Sequence, residues 1–185
     1  MEIVVGVTGA TGTIYAINLL KALQETGKVN VHLIMSDWAK ENLKIETDYS
    51  LKDMESLAAE VYDNKNLGAK TSSGSFRTDG MVIVPCSMKT LSSIANGYDD
   101  NLITRTAGVM LKEGRKLILS PRETPLSAIH IENMLKLART GVRIIPPMPA
   151  FYNHPQTIQD IINHHVMKIL DQFGIDFEKA KRWQG

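Results

Sequence analysis

The sequence predicts an α/β protein: a single three-layer domain of residues 1–185 around a doubly wound parallel sheet. Two observations carry that expectation. Short apolar runs alternate along the chain with longer amphipathic stretches. The apolar runs lack the strict alternation of a half-exposed sheet, so both of their faces are expected to be covered. The length suits one domain with one sizeable core.

In order, the strands are expected at "EIVVGVT" (2–8), "VNVHLIM" (29–35), "GMVIVPC" (80–86), "KLILS" (116–120) and "VRIIP" (142–146). Helical patterns are expected between and after them, at 13–25, 37–45, 50–61, 87–96, 101–112, 127–139 and 156–173. Such alternation implies right-handed crossovers, which place helices on both faces of the sheet. The polar stretch 62–80 is the one long segment expected to be irregular. The tail 176–185 carries Trp183, an indole costly to leave in water, so it is expected to dock on this domain or on a neighbouring subunit.

Composition excludes several classes. Hydrophobic content of 43% and charged content of 22% are those of a folded globular protein. A net charge of +1 argues against nucleic acid or an anionic membrane as the main partner. No apolar run approaches the ~20 residues of a membrane span. The acid at position 2 and the early glycines do not fit a signal peptide, so a cytoplasmic protein is expected. The single cysteine, Cys86, cannot pair internally, and the five histidines show no metal-ligand spacing, so no metal is expected.

Ligands of doubly wound sheets lie beyond the carboxyl ends of the strands. After the first strand, "TGATG" places Gly9 and Gly12 in a tight turn before a helix, whose free N–H groups could cradle an anion, with the Thr11 hydroxyl beside them. The spacing matches neither the dinucleotide nor the P-loop fingerprint, so it does not select a nucleotide. The second strand ends at Ser36, and Asp37 is placed to start the next helix. The third ends in "PCSMKT", clustering Cys86, Ser87 and Thr90 at a second helix start. A lone cysteine there is more often a small buried hydrophobe than a nucleophile.

The fourth strand runs into Arg122 and Glu123, flanked by Pro121 and Pro125; this guanidinium could grip a phosphate or carboxylate with two parallel bonds. The fifth ends in "IIPPMPAFYNHPQT", a proline-stiffened segment with Phe151 and Tyr152 at its centre. Hydroxyls, glycines, an Arg–Glu pair and a rigid apolar wall together suit a phosphate-bearing planar cofactor and a small, partly apolar substrate.

Taken with "SSGSF", "DNLITR", "VMLKEGRKLILSPRETPLSAIHIENMLKL" and the terminal "RWQG", these motifs resemble the UbiX family of flavin prenyltransferases, from Val5 to the end of the chain. The resemblance implies a flavodoxin-like or Rossmann-like sheet, FMN, and a homododecamer with its site between subunits. It implies a metal-independent reaction, in which reduced FMN is alkylated at N5 by dimethylallyl phosphate and closed at C6. The prenylated FMN would pass to a UbiD-type decarboxylase. Carried over by position, FMN would be held by Gly9, Ala10, Thr11, Ser36, Arg122 and the turn Ser87, Met88, Lys89 and Thr90. Dimethylallyl phosphate would meet Lys112, Arg122, Glu123, Tyr152 and Lys168. Glu46 would lie near the flavin, and Glu46, Lys112, Glu123 and Thr11 would be catalytic. Thr11 stands where serine is common in the family, and Lys168 where arginine is usual.

Two other enzymes and one non-enzyme remain as rivals. A short-chain dehydrogenase would need a Y-x-x-x-K pair, and no tyrosine here has lysine four residues on. A flavin-dependent cysteine decarboxylase would carry asparagine after the methionine of "PPMPAFY", where proline stands. A non-catalytic FMN carrier or decarboxylase accessory subunit would keep the flavin surface, but has no use for Lys112, Glu123 and Tyr152.

Overall fold

The computed structural model describes residues 1–183. Six parallel strands form one sheet: β1 (Glu2–Val7), β2 (Asn30–Met35), β3 (Glu60–Asp63), β4 (Gly80–Cys86), β5 (Leu117–Pro121) and β6 (Arg143–Ile144). Their order is β3-β2-β1-β4-β5-β6, all in parallel register. The chain winds outward from β1 in one direction and from β4 in the other. The topological switch point is therefore between β1 and β4, where such sheets open a crevice at their carboxyl edge.

Seven helices cover the sheet: α1 (Thr13–Glu25), α2 (Asp37–Glu46), α3 (Leu51–Glu55), α4 (Met88–Ala95), α5 (Leu102–Lys112), α6 (Ala128–Arg139) and α7 (Ile158–Asp171). The period-2 geometry of β1 sorts its side chains between two core layers. Ile3, Val5 and Val7 pack with α1, α2 and α7, among them Leu20, Leu43 and Val166. Val4 faces the other way with Met81 and Ile83, against Leu91 of α4, Ile103 of α5 and Leu137 of α6. Both layers are closed around β1 and β4, which explains why these strands read as unbroken apolar runs.

The expected helix over 50–61 is shorter, and a strand replaces its end. Ser50 caps α3 through a reciprocal pairing with Asp53, and Met54 enters the core. Leu57 and Ala58 follow at helical spacing, but the Ala59 N–H donates to Val31 O at 3.0 Å, drawing the chain into the sheet. β3 is the edge strand, largely exposed, so "EVYD" lacks the apolar signal of a buried strand. Segment 62–80 is accordingly not wholly irregular: it starts in β3 and holds a 3-10 turn at Lys70–Ser72. At the other edge β6 stops after two residues. Ile145 makes one more ladder bond, to Leu119 O at 2.7 Å, and Pro146 and Pro147 have no N–H to continue it.

The tail folds back on its own chain as far as it is described. Lys179 pairs with Glu25, Arg182 with Asp171, and Trp183 packs edge-to-face on Tyr152 with centroids 5.7 Å apart. Gln184 and Gly185 lie outside the described residues. No helix among the described residues is long and apolar enough to cross a membrane.

Candidate functional site

A cleft of about 440 Å³ opens at the switch point. Its walls come from the ends of β1 (Thr8, Gly9), β2 (Ser36) and β4 (Ser87), with Asn64 beyond β3 and Asn101 before α5. Ser36, Ser87 and Asn101 are the N-caps of α2, α4 and α5, so three helix N-termini converge on this space. Each cap uses its side chain on its own helix: Ser36 Oγ accepts from Ala39 N–H at 3.1 Å, Ser87 Oγ from Thr90 N–H at 3.3 Å, and Asn101 Oδ1 from Thr104 N–H at 3.1 Å. The positive ends of three helix dipoles and the Lys89 and Lys65 side chains make the cleft suited to an anion. Asp37 and Asp100 partly offset the lysines, through Lys65–Asp37 at 3.3 Å and Lys89–Asp100 at 4.0 Å.

The β4–α4 turn is built to stay open. Thr8 Oγ1 donates to Pro85 O at 2.9 Å and accepts the Ser87 N–H at 2.7 Å, tying the ends of β1 and β4 together. Cys86 lies fully buried beneath, where loss of solvation pushes its thiol well above the usual range. It is a core residue, not a nucleophile.

The β1–α1 turn departs from expectation. Its helix N-terminus is not a free anion cradle, because Glu46 occupies it. The Gly12 and Thr13 N–H groups both donate to Glu46 Oε2 at 2.9 Å. Gly12 takes φ +110°, a conformation glycine adopts without strain. Burial by itself would raise the Glu46 carboxyl, but the Thr11 hydroxyl and the Gly12 and Thr13 N–H groups outweigh it and hold the group below its ordinary value. Glu46 is thus an anion at the tip of α1, beside Thr11. Glu46→Ala is expected to lower stability by about 1 kcal/mol at neutral pH, the usual cost of losing a helix cap. The depressed folded value means this contribution is complete above the ordinary carboxylate range and fades as pH falls through the folded value. The urea midpoints of the two proteins should therefore differ at pH 7 and converge once the pH has fallen below the folded value.

Gly9 is required by packing. A Cβ there would lie 2.5 Å from Trp38 Cβ, an atom that cannot swing away. Ala10 sits above the same turn, its carbonyl accepting from Asn42 Nδ2 at 3.1 Å. Of the residues expected to hold a cofactor, Gly9, Ser36, Ser87, Lys89 and Thr90 line the cleft. Ala10, Thr11 and Met88 flank it in sequence, and Arg122 follows β5 on the same edge, its N–H donating to Cys86 O at 3.2 Å. Asn64, Asn101 and Trp38 were not foreseen. Asn64 comes from a segment whose sequence signal is turn-forming composition, and Asn101 from the "DNLITR" motif, which carried no assigned role.

A second polar depression lies along the outer side of α5, lined by Ser72, Ser73, Gly74, Ser75, Arg105, Lys112 and Glu113. Two arginines hold its loop by the carbonyls: Arg105 Nε donates to Ser72 O at 3.2 Å, and Arg115 to Gly74 O at 2.5 Å and Phe76 O at 2.7 Å. Lys112 pairs with Glu113, whose carboxyl is held down first by the hydrogen bond and then by the charge of this lysine. Both pack over Gly74, where a Cβ would meet Glu113 Oε1 at 2.3 Å and Lys112 Nζ at 2.9 Å. The helix axis carries Lys112 about 15 Å away from the end of α5 that lines the cleft.

The remaining expected substrate residues are placed elsewhere. Arg122 and Glu123 are exposed at the carboxyl edge after β5, with Glu123 Oε1 accepting the Thr124 N–H at 3.0 Å. Tyr152 lies beyond β6, its hydroxyl 2.8 Å from His164 Nε2. Lys168 lines a third depression, of about 410 Å³, against Ile144, Ile145, Pro146 and Met148. One chain therefore does not gather Lys112, Glu123, Tyr152 and Lys168 into a single pocket. Tyr152 and Lys168 meet at His164, which bonds the first and lines the depression of the second, whereas Lys112 belongs to the depression along α5 and Glu123 to the edge after β5.

The comparisons with known proteins agree with this architecture. The flavoprotein family model matches residues 1–170. The chain is 60% identical to the flavin prenyltransferase LpdB of Lactiplantibacillus plantarum, over all of this chain and 98% of that one. It superimposes with a TM-score of 0.99 on the dodecameric FMN-dependent UbiX-like decarboxylase of Escherichia coli O157:H7, 56% identical over the full length of both chains. With AnUbiX (PadA1), solved in complex with FMN and dimethylallyl pyrophosphate, the TM-score is 0.97 at 50% identity, covering all of this chain and 97% of that one. The chain belongs to the flavoprotein family and, within it, to the UbiX-like flavin prenyltransferases.

Proposed function

We propose that this protein transfers a dimethylallyl group from dimethylallyl phosphate to reduced FMN, making the prenylated flavin that a UbiD-type decarboxylase uses. It acts as one flavin-binding domain of residues 1–185, in the cytoplasm, within a homododecamer whose sites are shared between subunits. The observation that carries the reading is the convergence of the α2, α4 and α5 N-termini on one cleft at the switch point. That donor set fits FMN, which brings a phosphate for the helix ends and a ring system that hydroxyls and amides can hold at its polar edge. Ser36, Ser87, Lys89 and Thr90, with the Met88 N–H, would hold the phosphate side. Gly9, Ala10 and Thr11 would let the ring approach the backbone, and Arg122 would close the site from β5.

The reaction needs nucleophilic nitrogen and carbon atoms, which reduced FMN supplies. The rest falls to side chains. As the C–O bond of dimethylallyl phosphate breaks, its electron pair goes to the phosphate, and Lys112, Arg122 and Lys168 stabilise the growing charge. The Tyr152 hydroxyl donates to a phosphate oxygen. Glu123 and Glu46 are the carboxylates available to move a proton, and the departing phosphate can itself accept the one lost from the flavin. The apolar wall of Pro146, Met148 and Phe151 excludes water from the allylic group. Shared sites account for the scattered patches, since neighbours can bring together what one chain holds apart. The exposed Ile129, Ile131 and Leu135 of α6, with Phe151 and Met148, supply apolar surface for such contacts.

Anaerobic incubation with reduced FMN and dimethylallyl phosphate, followed by mass spectrometry of the released flavin, tests the reading. The expected product is heavier by one five-carbon prenyl unit. Tightly bound but unmodified flavin would replace the transferase with the FMN-carrier reading.

A further inference from the structure

Tyr152 has two aromatic neighbours. The His164 ring lies edge-on to it with centroids 5.7 Å apart at 80°, and the Trp183 ring at 5.7 Å and 85°. Its hydroxyl lies 2.8 Å from His164 Nε2. His164 is only 7% exposed and rides on the rigid α7, whereas Tyr152 sits on the irregular proline-rich loop with 47% of its surface exposed. The helix therefore supplies the fixed partner and the loop the one that needs fixing.

We propose that His164 is the positioning residue for Tyr152, donating its Nε2–H to the phenol oxygen so that the Tyr152 hydroxyl proton is turned outward to the substrate phosphate. This inference rests on the prenyl-transfer reading, which makes Tyr152 a phosphate ligand. The chemistry follows from counting donors. A phenol has one proton to give, and if Nε2 were bare that proton would point inward and Tyr152 could only accept from solvent. With the proton on Nε2 the phenol oxygen accepts from within, and its own proton is free to meet an anion. Donation into the phenol also polarises it, strengthening its bond to phosphate.

The surroundings keep the ring neutral without hindering this arrangement. Burial, then the neighbouring Lys168, hold His164 below the ordinary histidine value, and Asp171 acts in the opposite sense. His165 is adjacent on α7 but turned to Ser120 Oγ at 2.9 Å. Arg143 of β6 lines the same depression, and Arg182 of the tail is engaged by Asp171. Tyr152 is thus the hydrogen-bonding partner that His164 Nε2 meets.

The test is calorimetric binding of dimethylallyl phosphate to the assembled protein loaded with oxidised FMN, so that no turnover occurs. Tyr152→Phe and His164→Phe are each expected to weaken binding by about tenfold, the worth of one hydrogen bond to a charged group. The double variant should bind no more weakly than either single one, because both remove the same interaction. His164→Gln, whose side-chain amide can present an N–H at similar reach, should recover most of the loss, while FMN content stays unchanged throughout. Losses that add in the double variant, or a Tyr152→Phe protein that binds as tightly as wild type, would overturn the inference. Coupled losses in a protein that never alkylates its flavin would sink the prenyl-transfer reading and leave the positioning role standing.

Discussion

Lys112→Ala is expected to lower the rate of prenyl transfer by about 10²–10³-fold, the cost of removing one fixed stabiliser of transition-state charge. FMN binding should fall far less than turnover, because Lys112 is not among the residues that line the cleft and is assigned to the substrate phosphate. The physical case rests on how the lysine is held. Arg105 and Arg115 occupy the carbonyls of the Ser72–Phe76 loop, and Gly74 leaves room for the Lys112–Glu113 pair to lie over it. The lysine ammonium, paired with Glu113, lines one depression with Ser72, Ser73, Ser75 and Arg105, whose guanidinium Asp99 holds at 3.3 Å. Glu113 competes with the substrate phosphate, so Glu113→Gln is expected to tighten dimethylallyl phosphate binding while Lys112→Ala loosens it. Single-turnover flavin alkylation followed by absorbance, with FMN content measured in parallel, checks both. A Lys112→Ala protein with wild-type turnover would remove the lysine from the mechanism.

Gly9→Ala is expected to weaken FMN binding by about tenfold or more. A methyl at residue 9 would sit 2.5 Å from Trp38 Cβ, and that atom is fixed to the first turn of α2. The clash must be relieved by moving backbone, at a cost of about 1–3 kcal/mol. The segments that move are the two cleft walls meeting at the β1 and β2 ends, so the distortion falls on the site. Fluorescence titration of the apoprotein with FMN measures it, and urea unfolding of the same variant separates a binding loss from a folding loss. Unchanged affinity would show that the β1–α1 turn does not touch the flavin.

Most of the scaffold was legible because its elements follow single periodicities. The buried strands β1, β2, β4 and β5 have apolar side chains on both faces, and α1 begins and ends as its apolar spacing requires. β3 was hidden because an edge strand needs little apolar content, and because Met54, Leu57 and Ala58 mimic a longer helix. At the site, Gly9, Ser36, Ser87 and Thr90 were legible because they stand where strands end. Glu46 capping α1 was not, since it reaches 34 residues back to Gly12 and no local pattern records such a pairing. Arg105 was missed for the same reason: it stands in the first turn of α5 and joins the depression that Lys112 lines only once Ser72–Ser75 folds against that helix. The roles of Lys112, Tyr152 and Lys168 came from family resemblance alone, because the chain by itself keeps Lys112 apart from Tyr152 and Lys168, which meet at His164.

That separation is the centre of the account. If neighbouring subunits complete the site, Lys112 and Glu123 serve it from different chains, and defects in each can complement. The decisive measurement is activity of hybrid assemblies, made by co-expressing differently tagged Lys112→Ala and Glu123→Gln proteins and purifying on both tags. Each parent assembly should be inert. Random hybrids should recover about one quarter of wild-type prenyl transfer, since a site is intact when it draws its lysine from one variant and its glutamate from the other. Hybrids as inactive as their parents would place both residues of each site on one chain and contradict the shared active site.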